Sequence, residues 1–397
     1  MIKIIAILNN SAGSGGGVDQ SLNAIIQMQR LSSNRFNFEA FVTQKENLAF
    51  LSKFNIKTTL IKISFIDKFL ARFSQSSLWQ SLQLRVKLIG PLEKRLIEYE
   101  CDLVYFVAPG NLCSALQKLN FINTIWDLCH REMPEFPEVR EYNNFSIREN
   151  SCRNNYGSAL VNFTDSDYLA DLASECYGVQ RNRFLAMPFS PTPYLSEDLN
   201  IKNYDLFNIY GLKKDYFYYP AQFWAHKNHI RILQALIILR DCYQWNPHIV
   251  FSGKDYGNLN YIKKFIKDNN LESQVNIVGF VPPEHLRQLY KDSSVILMPT
   301  YFGPTNLPAM EAFLLGKPLI YSSHLASQVD DAALLVDPDK AEDLANAMRK
   351  STMPEISNKL IEAGFKKLDQ ISAQRKKAEV EFCKLLVRFS SKKDCWR

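Results

Sequence analysis

Short apolar runs, hydrophobic on both faces, alternate with helical stretches along this chain, and that alternation limits its fold more than any other feature. Residues 2–8, 36–42, 57–61, 103–107, 123–127 and 160–163 carry apolar side chains in near-continuous rather than every-second order. A strand of that kind has to be covered on both faces, which is the situation of parallel strands inside an α/β sheet. The stretches between them, such as 18–30 and 85–100, place apolar residues three and four apart, the spacing of a helix with one buried stripe. Parallel neighbours require a crossover, and a helix supplies it. The expected architecture is α/β and doubly wound.

Pro188, Pro191 and Pro193, followed by polar residues 196–203, break the pattern, which resumes at 217–220, 248–252, 275–278, 295–299 and 318–321. We therefore expect an N-terminal Rossmann-like domain over 1–195 and a second over 196–371. A C-terminal helix and tail follow over 372–397, with Val380, Leu385 and Phe389 among charged residues, free to pack on either domain. The length of 397 residues suits two such domains. Open α/β sheets bind ligands beyond the carboxyl ends of their strands, so a cleft between the domains is the expected site.

With 46% apolar and 22% charged residues, collagen-like, low-complexity and disordered classes are excluded. Eight cysteines at irregular spacing, with no CxxC pair, fit neither a zinc site nor a disulfide scaffold and suggest a reducing cytoplasm. The apolar opening stops at Asn9 and Asn10 without a small-residue cleavage pattern and reads as a buried strand rather than a signal peptide. No run approaches the roughly 18 apolar residues that span a bilayer.

Three places carry chemistry, each just after an expected strand. The first is the loop Ser11-Ala12-Gly13-Ser14-Gly15-Gly16-Gly17-Val18. Its glycines either form a plain turn or bring backbone N–H groups to an anion at a helix start. It is not a dinucleotide fingerprint, since Val18 stands where a third glycine belongs, and no P-loop lysine follows. The second runs from Tyr219 to His229 and holds Gln222, His226, Lys227 and Asn228. A cation with amide and imidazole donors at a strand-to-helix junction either faces solvent or neutralises a departing diphosphate. The third runs from Pro299 to Phe313, where a Gly303-Pro304 turn leads to a helix with Pro308 in its first turn. N–H groups near Asn306–Ala309 should be free there, with Glu311 one turn further on, held by the helix dipole or accepting from ribose hydroxyls.

These words resemble the retaining glycosyltransferases of the GT-B fold, specifically family four, the group 1 transferases. That family's signature is a carboxylate, seven residues, and a second carboxylate in a segment E-G-F-G-L-P-x-x-E-A. Here Leu307-Pro308 and Glu311-Ala312 match, while Gly303 stands at the first carboxylate position. Gly316-Lys317-Pro318-Leu319-Ile320, residues 279–284 and residues 332–338 are similar as well. So are Gln222-Phe223-Trp224 and His226-Lys227-Asn228-His229, in a branch that replaces the usual R-L-x-x-x-K-G. In the first domain, 123–130 followed by Pro134-Glu135-Phe136 is similar to H-D-L-x-H, with Trp126 replacing the first histidine.

The resemblance implies two facing Rossmann-like domains and a hexosyl transfer with retention, from a nucleotide-diphosphate sugar to a growing, lipid-linked cell-surface glycan such as an O-antigen or capsule. A mannose-like sugar is the guess it suggests. It assigns ribose binding to Glu311, diphosphate binding to Lys227 with Asn228, donor-sugar contacts to Thr305, Asn306 and Leu307, and the base side to Gly279 and Val281. Gly16 and Gly17 would line donor phosphate and acceptor, with Asp127 and His130 as polar candidates on the acceptor side. No cofactor and no metal are implied. The same fold also serves nucleotide-sugar epimerases, phosphorylases and non-catalytic relatives, and these stay open.

The formal charge of +6 is not evenly spread. Between residues 57 and 97 lie Lys57, Lys62, Lys68, Arg72, Arg85, Lys87, Lys94 and Arg95, against only Asp67 and Glu93. Phe65, Phe69, Phe73 and Trp79 are interleaved with them. Such a mixture either packs as a basic helix on its own domain or lies on an anionic inner-leaflet surface. Nucleic acid is not expected, because no recognition motif accompanies the charge.

Overall fold

The computed structural model describes residues 1–10, 16–32, 35–74, 89–192, 195, 204–304 and 306–396. The chain divides into two compact units. The first comprises Met1–Pro134, Val139–Phe189 and Ala373–Arg397; the second comprises Glu135–Glu138 and Ser190–Ser372. Relative to the expected boundaries, the division falls six residues earlier at Phe189, and a four-residue piece near 137 goes with the second unit.

The first unit is built on strands β1 (Lys3–Leu8), β2 (Asn37–Val42), β3 (Thr58–Leu60), β4 (Leu103–Phe106), β5 (Asn120–Thr124), β6 (Val161–Thr164) and β7 (Phe184–Ala186). They form one parallel sheet in the order β3-β2-β1-β4-β5-β6-β7. Both faces of β1 are buried, as its continuous apolar run requires. Ile4, Ala6 and Leu8 pack with Leu22, Ile25 and Met28 of the helix Gly16–Ser32. Ile5 and Ile7, pointing the other way, pack with Leu92 and Leu96 of the helix Pro91–Glu98. The strand expected at 123–127 lies three residues earlier. Asn123 is buried inside the sheet and donates to the Asn162 side chain at 3.0 Å, so a polar residue that reads as a strand start is in fact mid-strand.

The second unit holds β8 (Phe217–Pro220), β9 (Ile249–Ser252), β10 (Val275–Gly279), β11 (Val295–Met298), β12 (Leu319–Ser322) and β13 (Leu334–Val336). These strands are parallel, in the order β10-β9-β8-β11-β12-β13. In each sheet the winding reverses beside the first strand of the unit, at β1/β4 and at β8/β11. Such switch points leave room for ligands at the carboxyl ends of the strands.

The C-terminal helix is longer than expected, running from Pro354 to Lys393. Its second half, from Ala373, belongs to the first unit: Phe382 packs edge-on against Phe163 at 5.2 Å, and Lys393 pairs with Asp102. None of the eight cysteines is paired, and no described helix is long and apolar enough to cross a membrane.

Candidate functional site

At the switch point of the second sheet, β8 runs into a short 3-10 turn, Ala225–Lys227, and then the helix His229–Tyr243. Asn228 joins them in a left-handed conformation (φ 58°). Its amide donates to the carbonyls of Pro299 (3.0 Å) and Pro338 (2.9 Å), so both of its N–H bonds clamp neighbouring loops. The turn is held from other sides too. The hydroxyl of Tyr219 donates to the Lys227 carbonyl at 2.7 Å, and the backbone N–H of Tyr301 donates to the His226 carbonyl at 2.9 Å. A turn fixed at so many points presents the half-buried Lys227 side chain in one place, which is what preorganised charge stabilisation requires.

The Lys227 Nζ reaches the Asn306 Oδ1 at 3.4 Å. Asn306 in turn donates from Nδ2 to the Tyr321 hydroxyl at 2.6 Å, and Tyr321 donates to Gln328 at 2.5 Å. This chain accounts for Gly303, the position where the signature has its first carboxylate. A Cβ on residue 303 would stand 2.5 Å from the Asn306 Oδ1, and its three nearest atoms all belong to Asn306. The oxygen of Asn306 thus occupies the space into which a side chain at 303 would start. Leu307 and Pro308 open the helix Leu307–Leu314, whose start offers fewer donors than expected: Pro308 has no N–H, and that of Ala309 goes to the Asn306 carbonyl at 3.0 Å. Thr305, a further expected donor-sugar contact, lies outside the described residues.

Glu311 is 4% exposed. One of its carboxylate oxygens accepts from the Thr192 hydroxyl and the other from the Tyr290 hydroxyl at 2.5 Å. Burial and the Glu311 charge push the Tyr290 phenol well up, so it stays protonated and donates.

Gln222 stands where the usual arginine would fall. Its Oε1 accepts the backbone N–H of Lys254, at the end of β9, and the Lys254 ammonium lies 4.4 Å from the Phe280 ring centroid. Gly279 closes β10 with φ 71° and accepts the N–H of Gly253 at 2.9 Å, while Val281 is buried beside it. A second basic side chain is therefore held at the carboxyl edge of the sheet, beside the residue that replaces an arginine.

Two further groups are present that sequence reading did not find. Glu138 belongs to the second unit and accepts from the backbone N–H of His226 at 3.1 Å while also meeting its Nδ1. Burial would raise the Glu138 carboxyl, but His226 reverses the balance and leaves it lowered. The His226 ring stacks on Phe302 at 3.9 Å. Thr192 is the other, reaching Glu311 across 119 residues of sequence. Neither sits in a motif that marks it. Burial, with the Lys227 charge, lowers the His229 pKa to about 3; it is a neutral core ring among Tyr219, Phe223 and Phe251.

In the first unit, Gly16 and Gly17 begin the helix after β1. A Cβ on Gly17 would stand 2.6 Å from the Trp126 ring, so glycine there admits the indole against the helix start. Asp127 pairs with Arg148 and accepts the N–H of Cys129 at 3.0 Å. Its burial is outweighed by Arg148, which holds the carboxyl at about 2. His130 is fully buried, with Nε2 3.3 Å from the Tyr177 hydroxyl and 3.4 Å from Glu149. Burial, and then Arg148, keep its pKa low. As placed, the imidazole braces the helix Asn144–Asn155 and is closed to a sugar hydroxyl. Lys227, Asn306 and Glu311 are gathered at one end of the second sheet, and Asp127 and His130 form a separate network in the first unit.

Residues 206–367 match the family model described as glycosyl transferases group 1. A mannosylfructose-phosphate synthase of Agrobacterium fabrum is 30% identical over 96 residues, 23% of this chain and 21% of the relative. An O-antigen chain mannosyltransferase B of Escherichia coli is 26% identical over 126 residues, 31% of this chain and 33% of the relative. The chain thus matches about a fifth and a third of the length of these curated relatives. Among solved structures, a glycosyltransferase of Rickettsia africae superposes with a TM-score of 0.71 at 14% identity, over 97% of this chain and 98% of that one. The Anabaena protein HepE, solved with UDP-glucose, gives 0.66 at 15% identity over 96% and 99%. At such identities the likeness is one of fold, and that fold is GT-B. Two parallel Rossmann-like sheets give this chain the GT-B fold, and residues 206–367, most of its second unit, are similar to the group 1 glycosyl transferases.

Proposed function

We propose that this chain is a retaining glycosyltransferase that moves a hexose from a nucleotide-diphosphate sugar to a growing, membrane-held glycan. One observation carries the reading: a lysine, immobilised by its own turn, stands at the switch point of a group 1 domain, hydrogen-bonded to the asparagine that opens the next helix. In the proposed reaction the acceptor hydroxyl attacks the anomeric carbon on the face the diphosphate leaves. The carbon–oxygen bond to the diphosphate breaks, and the hydroxyl proton passes to a diphosphate oxygen. Lys227 stabilises the charge developing on that leaving group, with Lys254 as the second cation and no metal ion required. Glu311 accepts from the ribose, Gly279 and Val281 border the base, and Asn306, with Thr305 and Leu307, takes the sugar-facing role of the replaced carboxylate. Gly16, Gly17, Asp127 and His130 belong to the acceptor side, the last two through the shape they hold.

The solved HepE carries UDP-glucose and the Escherichia coli relative is named a mannosyltransferase, so the donor test covers both sugar types. UDP-glucose, GDP-mannose and dTDP sugars are each incubated with the protein, with and without lipid-linked acceptor, and free nucleotide diphosphate is measured. Acceptor-dependent release is expected for one donor, and Lys227→Ala should lower it by about a hundredfold or more. Interconversion of donor sugars without acceptor would replace this reading with an epimerase. An unchanged rate in Lys227→Ala would remove the lysine from the mechanism.

The exposed face of the helix Phe65–Phe73 supports a membrane-held acceptor. Phe65, Ile66, Phe69 and Phe73 are 82, 48, 37 and 42% exposed, and Lys68 and Arg72 lie beside them, while Leu70 and Ala71 face inward. The two acids of the basic stretch do not offset its charge at the surface. Asp67 is buried, accepting the N–H groups of Ser64 (3.1 Å) and Leu92 (3.0 Å). Glu93 is buried and accepts three successive N–H groups, from Gln117 to Leu119. What the described part of 57–97 shows to solvent is apolar and cationic, which suits an anionic bilayer. Arg85, Lys87 and Trp79 lie outside the described residues.

A further inference from the structure

A hydroxyl group lies in the core of the second sheet, where packing alone would call for phenylalanine. Tyr321 is the third residue of β12, between Ile320 and Ser322, and all three are fully buried. A buried hydroxyl costs stability unless it is hydrogen-bonded, so its presence there asks for a polar reason. It has partners on two sides, donating to the Gln328 Oε1 at 2.5 Å and accepting from the Asn306 Nδ2 at 2.6 Å. It thereby links the 3-10 segment Ser323–Gln328 to the start of the helix Leu307–Leu314.

The direction of each bond in this chain follows from the one before it. A backbone carbonyl can only accept, and Gln328 meets that of Gly303 with its Nε2 at 3.4 Å. The oxygen end of the Gln328 amide is thereby turned to Tyr321. A phenol has one proton to donate, and with that proton on Gln328 the Tyr321 oxygen acts as an acceptor toward Asn306. The Asn306 amide therefore points its Nδ2 at Tyr321 and its Oδ1 the other way, where it meets the Lys227 ammonium at 3.4 Å. Turned over, the same amide would set an N–H group against an ammonium. All five residues lie in the second unit.

We propose that Tyr321 is a positioning residue for the transfer reaction: its hydroxyl sets the direction of the Asn306 amide, and the amide oxygen so presented holds Lys227 where the leaving diphosphate forms. The proposal rests on the diphosphate role given to Lys227 in the proposed function. Tyr321, itself fully buried, acts only through Asn306. Without the phenol oxygen the amide is free to turn over, and Lys227 loses one of the acceptors that fix it. A charge held less firmly stabilises the departing group less well, because preorganisation is what such a group contributes.

The test is a thermodynamic cycle on nucleotide binding. UDP, GDP and dTDP carry in full the charge that Lys227 is placed to meet, and each is titrated calorimetrically into the parent chain, Tyr321→Phe, Lys227→Ala and the double variant. For the nucleotide that binds, Tyr321→Phe should weaken binding about tenfold, the effect of losing a hydrogen bond to a charged group. In the Lys227→Ala background the same change should weaken it by less than about twofold, since interacting residues are not additive. Damage to packing would act alike in both backgrounds, so additive effects overturn the proposal, as does unchanged binding in Tyr321→Phe. Thermal unfolding is followed alongside. Should Tyr321→Phe fail to fold, Gln328→Leu, at a half-buried position, carries the same cycle. With no acceptor at 328 the Tyr321 proton can turn to Asn306, and weakened binding that depends on Lys227 is again expected; additive effects or none overturn the proposal. A parent chain that binds none of the three nucleotides, or binding that Lys227→Ala leaves unchanged, defeats the proposed function and this proposal with it. Binding that depends on Lys227 but not on Tyr321 or Gln328 defeats the proposal alone.

Discussion

Gly303→Ala places one methyl group where the Asn306 Oδ1 now sits, 2.5 Å from the new carbon. Ordinary contact begins near 3.4 Å, so the amide must retreat by about 0.9 Å. Asn306 has little room to do so, since its Nδ2 is bound to the Tyr321 hydroxyl at 2.6 Å and its Oδ1 to Lys227 at 3.4 Å. Stretching or breaking the first bond costs about 1 kcal/mol, and overpacking of a fixed site about 1–3 kcal/mol. We expect Gly303→Ala to destabilise the second unit by about 2 kcal/mol and to disturb Lys227, lowering transfer. Gly303→Glu, which restores the carboxylate of related sequences, meets the same atom and should lose activity rather than gain it. The decisive measurement is a double-mutant cycle. With Asn306→Ala already made, the obstructing oxygen is gone and alanine at 303 should cost little, so the two changes should couple by at least about 1 kcal/mol in thermal unfolding. For a unit of this size each kcal/mol moves Tm by about 2–4 °C. Effects that add within about 0.5 kcal/mol would show that Asn306 does not explain the glycine.

Two further outcomes can be checked directly. Sedimentation with vesicles of anionic phospholipid should carry the protein down, and Lys68→Gln with Arg72→Gln should weaken this about thirtyfold, at about 1 kcal/mol per basic side chain near the surface; equal binding by that double variant, or binding to neutral vesicles alone, speaks against the membrane face. The Asp127 carboxyl, lowered from 3.8 to about 2, contributes stability that is present above pH 4 and lost as pH falls through 2, about 2 kcal/mol in all. Acid unfolding of Asp127→Asn should lack that part of the slope, and a curve parallel to the parent's would show that the Arg148 pair does not act through this carboxylate.

What was legible in the sequence and what was not divides by the distance to the partner. The continuous run of β1 declares a strand buried on both faces, because burial there depends only on its own alternation of Ile4, Ala6 and Leu8 against Ile5 and Ile7. The places of Lys227 and Asn306 are legible for a similar reason, each lying between a strand that the pattern identifies and the helix after it, with Glu311 inside the second of those helices. Asn123 and Thr124 misled the reading of β5, since polar side chains argue for an edge or a turn until Asn162 on the next strand is known to satisfy one of them. The same dependence hides Thr192 and Glu138, whose partners Glu311 and His226 lie 119 and 88 residues away. It also made the charge of 57–97 look weaker than it is. Asp67 and Glu93 count as compensating acids in any tally along the chain, yet both spend their charge on backbone N–H groups, in part more than twenty residues distant. Arg375 is the extreme case. On a helix rich in lysine and glutamate it reads as one more solvated cation, and only the fold shows that Arg30, 345 residues earlier, already pairs with the Glu379 carboxylate that lies 3.8 Å from it. A competition of two cations for one carboxylate is made by the three-dimensional fold and leaves no local pattern in the sequence.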